Sequence, residues 1–309
     1  MVMQGEFVMK KHRTHVFSYS FWGIFAIMAL SQAVFSQVGR QQFDDAEPLF
    51  SENGLIKSHV LFNIYFESFH KMTLQEADHF NGNTFFANIL IPISHSTQFR
   101  IELPYYTEGD AILTDAGSDP GEVVGAPTHL KGYNGVFNLY AILIEHQFRS
   151  MKKNGFNFLG FFGGGYRLDP IETSFSDKYN HAGLAAITGF RVDGNLSRNV
   201  HLLTNSKLTF FILSDDIGPS DKGLDWITSA DAWVLGNLSG AVMLPKFSRF
   251  TPIAESRFMT DFHQYNTFYA GPSLVLSLKN VDLKAGVLIG VNNDAEDYRS
   301  KFDITIKTF

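Results

Sequence analysis

The chain reads as an all-β protein, a transmembrane up-and-down antiparallel β-barrel of about twelve strands. Three observations lead there. From residue 55 onward the sequence falls into stretches rich in Phe, Tyr, Val, Ile, Leu and Thr, divided by Gly, Asn, Asp and Pro, and none keeps a helical period. The breaks between these stretches alternate in length, long then short, as in barrels with extended loops at one end and tight turns at the other. Finally, 45% of the 309 residues are apolar, with 31 Phe among them, yet after the N-terminal region no run approaches the about eighteen apolar residues of a helical span. Dispersed grease on strands crosses hydrocarbon only in a closed barrel, where every backbone N–H and C=O has a partner.

The N-terminus opens with Lys10, Lys11 and Arg13, continues through the apolar run from Phe21 to Leu30, and reaches the small residues Ser31, Ala33 and Ser36. That is the three-part plan of a secretory signal peptide, residues 1–36, with cleavage after Ser36. A retained signal anchor is the alternative, and both export the chain. Residues 37–54, acidic and carrying Pro48, are expected to be a periplasmic lead, the alternative being a plug that enters the lumen.

The barrel, residues 55–309, is expected to use strands at 55–69, 83–93, 98–106, 134–147, 155–167, 180–192, 199–212, 224–243, 249–259, 267–278, 281–291 and 299–309, the eighth being long enough for two. In 98–106, Phe99, Ile101, Leu103 and Tyr105 oppose Gln98, Arg100, Glu102 and Pro104. In 267–278, Phe268, Ala270, Leu274, Leu276 and Leu278 oppose Thr267, Gly271, Ser273 and Ser277. The stretch 281–291 sets Val281, Leu283, Ala285, Val287, Ile289 and Val291 against Asp282, Lys284, Gly286 and Gly290. The longer breaks are acidic, whereas the short ones carry Arg149, Lys152, Lys153, Lys246 and Lys279. Acidic outer loops suit divalent-cation bridging at a lipopolysaccharide surface. Tyr105, Tyr106, Tyr166, Trp226, Trp233 and Tyr269 lie near strand ends and are expected to form interfacial girdles. The run Phe161-Phe162-Gly163-Gly164-Gly165-Tyr166 would let the wall bend or leave space in the lumen.

The segment from Leu90 to Tyr105, a strand, tight turn and strand ending in a Pro-aromatic step, is similar to the opening hairpins of the outer-membrane β-barrels associated with phenol meta-pathway degradation. The closing hairpin, Val281 to Val291, then Asn292 to Tyr298, then a last strand to Phe309, resembles theirs as well. The resemblance implies a bacterial outer-membrane channel for passive passage of small, in part hydrophobic, solutes, which would enter through loops 70–82 and 107–133. A terminal Phe is also what the insertion machinery of such barrels reads, so Phe309 is the expected insertion signal. Stepping back by two from it, however, gives Lys307, Thr305, Asp303 and Lys301, with apolar Phe302, Ile304 and Ile306 on the other face.

A charge facing lipid at the membrane midplane costs a few kcal/mol, so strand charges are turned inward. The lumen-facing candidates are Glu67, Arg100, Glu102, Arg167, Arg191, Lys207, Glu255, Arg257, Lys284 and Asp303. They would either form a salt-bridged plug or line a path for solute. Other chemistries find little support. There is no Cys, which removes thiolate catalysis and thiolate metal sites. With 25 Lys and Arg against 31 Asp and Glu, net charge −6, no basic face for nucleic acid is expected. The eleven His show no zinc spacing. The acidic sets Asp115, Asp119, Glu122 and Asp215, Asp216, Asp221 lack a calcium-loop spacing, so no cofactor or metal is expected. Ser174, Ser176, Asp177 and His181 hold the residue types of a hydrolytic triad but no nucleophile-elbow pattern. A lipid hydrolase and a structural or adhesive barrel without transport are the competing classes; catalysis is not expected. The anticipated partners are outer-membrane lipid and lipopolysaccharide, the insertion machinery and a small solute.

Overall fold

Alternation with a period of two gives most strands one mainly apolar and one mainly polar face, and in a closed barrel that crosses hydrocarbon the mainly apolar faces turn outward. The computed structural model describes residues 47–72, 77–113, 125, 127–132, 139–167, 183–197, 200–213, 232–260, 262, 266–292, 295 and 297–308. Among these, thirteen strands run in chain order: β1 (Leu61–Met72), β2 (Ala77–Ser94), β3 (Thr97–Leu113), β4 (Pro127–Gly132), β5 (Tyr140–Arg149), β6 (Phe156–Arg167), β7 (Gly183–Ser197), β8 (Val200–Leu213), β9 (Ala232–Met243), β10 (Phe250–Thr260), β11 (Asn266–Ser277), β12 (Val281–Gly290) and β13 (Tyr298–Lys307). The four-residue helix α1 (Met151–Asn154) sits between β5 and β6.

All strands but β4 form a closed ring of twelve, each antiparallel to its neighbours. The ring closes where β13 meets β1, with Leu61 opposite Lys307 and His70 opposite Tyr298. β4 stands outside the ring. It pairs with the upper part of β3, Thr107 opposite Gly132 to Ile112 opposite Pro127, whereas lower β3 pairs with β5, Thr97 opposite His146 to Glu102 opposite Ala141. No helix of the described residues is long and apolar enough to cross a membrane.

Each of the twelve expected stretches carries one ring strand. The eighth holds the single strand β9, and its first part, 224–231, lies outside the described residues. The start of the first stretch, 55–60, is not strand. β4 falls in the break 107–133, where no strand was expected, because β2 and β3 extend to 18 and 17 residues and offer it an edge. The short connections His95–Ser96, 150–155, 244–249 and 278–280 share one end of the barrel with the meeting of Ser197 and Val200, the start of β1 and the finish of β13. We call this the turn end and the opposite one the loop end. At the turn end α1 stops at Gly155, whose φ of 82° is left-handed and whose N–H donates to Met151 O at 3.0 Å.

Outside, Phe62, Phe85, Ile142, Phe210, Ile289 and Phe302 are exposed, and Phe162 is 62% exposed. Inside, Gln98, Arg100, Glu102, Glu145, Asp193, Glu255, Lys284, Arg299 and Asp303 are buried. A polar interior beneath an apolar outer face is the fold of bacterial outer-membrane barrels. Two inward apolar clusters bracket the charges: Leu143, Leu159, Phe161, Ile187, Leu235 and Met259 with their neighbours, and, nearer the turn end, Leu203, Ala241, Met243, Ile253 and Val275. In the glycine run, a Cβ on Gly163 would lie 2.0 Å from the Ile142 carbonyl oxygen, so the bare backbone lets β5 and β6 approach.

One expected girdle residue is corrected. Tyr269 is fully buried and faces the lumen, because it shares strand parity with Thr267 and Ser273; its ring lies under the Arg299 guanidinium, 5.0 Å away. Tyr105 is 72% exposed on the outside, as expected. Trp226 and the side chain of Trp233 lie outside the described residues, as do residues 1–36 and Phe309. On β13 the parity read from the sequence holds: Phe302 and Ile306 face out, Asp303 and Thr305 in.

Candidate functional site

The inward faces of β3, β5 and β7 build an ionic layer. Glu145 on β5 is fully buried and receives Arg100 Nε from β3 at 2.6 Å and Arg191 Nη2 from β7 at 2.9 Å. Gln98 also donates to Glu145. A buried carboxylate so surrounded is compensated, whereas one stripped of a partner is not. Further pairs complete the wall: Lys207 Nζ to Glu102 at 3.1 Å, Lys284 to Asp303 at 3.5 Å, Lys307 to Asp282 at 2.9 Å, Arg299 Nε to Glu67 at 3.4 Å and His201 Nε2 to Asp193 at 3.1 Å.

Into this layer rises the segment preceding β1. The amides of Leu49, Phe50 and Ser51 donate to the Glu255 carboxylate of β10 at 3.0, 2.8 and 2.9 Å. The Ser273 hydroxyl donates to the same group, and Lys301 Nζ donates to Leu49 O at 2.9 Å. Glu52 forks onto Arg100, whose Nη1 and Nη2 each lie 2.9 Å from a carboxylate oxygen, and also meets Arg191. Lower down, Gly54 N–H donates to Asp193, Gln147 Nε2 donates to Gly54 O at 2.8 Å, and Lys57 N–H donates to Gln98 Oε1 at 2.8 Å. A Cβ on Gly54 would meet Asp193 Oδ1 at 3.0 Å and Asn157 Cβ at 3.2 Å, so a glycine here permits the close approach. The segment then doubles back, with Glu47 3.5 Å from Lys57 Nζ. Burial pushes the Glu47 carboxyl up, but the Lys57 ammonium, helped by Lys284, Arg100 and Arg191, outweighs it and holds the group below the usual carboxylate range.

The described part of the expected periplasmic lead, residues 47–54, therefore lies inside the barrel. The reason is chemical: inward carboxylates and cations need partners, and an extended segment has free backbone N–H and C=O groups to offer them.

Beyond the tip of this plug, toward the loop end, lies a cavity of about 120 Å³. Arg191, Lys207, Arg257, Arg299 and Lys301 line it with Glu52, Glu67 and Glu102, among the aromatic rings of Phe50, Tyr65, Phe69, Phe86 and Phe161. Asn88, Asn205 and Arg257 line it too, and each keeps a side-chain polar atom without a hydrogen-bond partner.

Of the ten lumen candidates, Glu67, Arg100, Glu102, Arg191, Lys207, Glu255, Arg257, Lys284 and Asp303 face inward, and five of them line the cavity. The side chain of Arg167 lies outside the described residues. Sequence reasoning missed Glu145, Asp193, Asp282, Arg299 and Lys301. Parity would have found four of these, since Asp193 shares a face with Arg191, Asp282 with Lys284, and Arg299 and Lys301 with Asp303. Ser174, Ser176, Asp177 and His181, and the acidic sets at 115–122 and 215–221, lie outside the described residues, among which no cluster of metal-ligating side chains occurs.

No family model matches the chain, and no curated protein matches it either. Solved structures do. The transport unit of the autotransporter AIDA-I from Escherichia coli is 12% identical with a TM-score of 0.47, covering 91% of this chain and 97% of that one. An outer-membrane channel from Pseudomonas putida F1 is 8% identical with a TM-score of 0.49, covering 87% and 100%. The Ralstonia pickettii toluene transporter TbuX is 6% identical with a TM-score of 0.40, covering 84% and 92%.

Proposed function

We propose that this protein is an outer-membrane channel for small solutes whose lumen is closed from within by residues 47–57. The observation that carries the reading is the way the plug is held. Its contacts to Glu255, Asp193, Gln98 and Arg191 are polar and ionic, Ile56 alone packs against the larger inward apolar cluster, and a cavity of about 120 Å³ continues past its tip. Such contacts exchange with water at modest net cost, so the segment can leave without unfolding the wall. The resemblance of the two terminal hairpins to the phenol meta-pathway barrels supports transport and membership of that family. The charged lumen favours water and polar solutes over the hydrophobic cargo of that resemblance. The chain reaches the membrane through a signal peptide cut after Ser36, its last strand engages the insertion machinery, and its acidic loops meet lipopolysaccharide through divalent cations. It works as a passage, not as a catalyst.

Planar-bilayer recording of the mature protein and of a form lacking residues 37–54 tests this. Small, intermittent conductance in the first and larger, steady conductance in the second are expected. If both are sealed, the barrel is structural.

A further inference from the structure

The cavity at the plug tip has more positive than negative charge, and its charges do not pair off. Glu52 is taken up by Arg100 and Arg191, Glu102 by Lys207 and Glu67 by Arg299. Arg257 and Lys301 remain without a carboxylate within ion-pair distance among the described residues. Arg257 projects from β10 and its Nε has no hydrogen-bond partner. Lys301 donates to a backbone carbonyl and sits over the Tyr65 ring at 3.7 Å from its centroid. A ring face holds a cation in place without supplying a negative counter-charge, so the ring leaves the ammonium open to an anion. Tyr65 is in turn stacked on Phe86 at 4.7 Å, which fixes the platform.

Two uncancelled cations in a confined space with low-dielectric walls attract an anion strongly. Phe50, Tyr65 and Phe86 border the same space and add apolar surface beside the charge. We infer that this cavity is a binding site for a small organic carboxylate, with Arg257 as its anchor and Lys301 as its second cation. The guanidinium offers a planar fork that matches a carboxylate in two parallel hydrogen bonds. Plug and solute have the same chemistry here: Glu52, at the tip of the plug, is itself a carboxylate seated on guanidinium groups at the edge of the cavity.

This names a solute class for the channel and rests on that reading only for how the solute arrives. Isothermal titration of the full mature protein in detergent, with sodium benzoate as probe, acetate as the bare carboxylate and benzyl alcohol as the neutral ring, tests it without any current being measured. Benzoate is expected to bind saturably and benzyl alcohol not at all. Arg257→Gln should weaken benzoate by at least about tenfold, and Arg257→Lys, which keeps the charge and shows that the barrel folds, should recover part of the loss. Equal binding of benzyl alcohol, unchanged affinity in Arg257→Gln, no benzoate binding, or displacement by equimolar chloride would each overturn the assignment. Conductance without benzoate binding removes this inference alone, whereas benzoate binding in a barrel sealed with and without its plug removes the channel and leaves the site.

Discussion

Leu49 and Glu255 are 206 residues apart in the chain, yet the amide of the first donates to the carboxylate of the second at 3.0 Å in the middle of the barrel. With Phe50 and Ser51 donating beside it, one strand carboxylate holds the tip of the plug. Replacing it by Ala leaves three amides without that acceptor, so Glu255→Ala should weaken plug docking by about 2–5 kcal/mol. Limited proteolysis from the turn end should then cut within 47–57, and open-channel time should rise; an uncut, silent variant would show that Glu255 does not hold the plug.

Arg100 and Glu145 are both buried and 2.6 Å apart. Removing one partner leaves the other with a single opposite charge, Glu52 beside Arg100 or Arg191 beside Glu145, so Glu145→Ala or Arg100→Ala is expected to lose less than the about 3–5 kcal/mol of a fully stranded charge. The double replacement Arg100→Met with Glu145→Gln should lose less than the sum. The temperature at which the folded band converts on heated SDS gels reads both.

Acid should open the channel. The Glu47 carboxyl is held below its ordinary value of 4.5, so its contribution to docking is complete above that pH and is lost as pH falls through the lowered value. The part of any conductance rise that comes from Glu47 is therefore expected below about pH 4.5 and not above it. Glu47→Gln should remove that part of the rise while leaving the titration of other lumen carboxylates in place.

Phe162 lies midway along β6 on the outer face. Phe162→Arg places a charge against lipid tails and should cost about 2–4 kcal/mol for unfolding from bilayers. A change near zero would mean that this face is wetted by water.

Much of the wall could be read from the chain because strand parity is local. Once 98–106 alternates, Arg100 and Glu102 must point opposite to Phe99 and Ile101, and closure decides that the charged side is inside. The same rule, applied to Thr267 and Ser273, would have placed Tyr269 in the lumen; reading it as an interfacial aromatic from its place near a strand end put it on the wrong face. β4 was invisible because its six residues pair only with a stretch of β3 that continues past the expected strand end.

By itself, then, the amino-acid order determined that this chain makes about twelve alternating strands, joined by long and short connections in turn, with its charges on one side. That follows from a two-residue period that each segment expresses alone. Which charges meet, that Arg257 and Lys301 have no carboxylate partner among the described residues, and that residues 47–57 turn into the lumen instead of trailing below it were decided only by the tertiary structure. These depend on the distance across a closed ring, between groups more than two hundred residues apart in the chain, and on the need of buried carboxylates for donors that no single strand supplies.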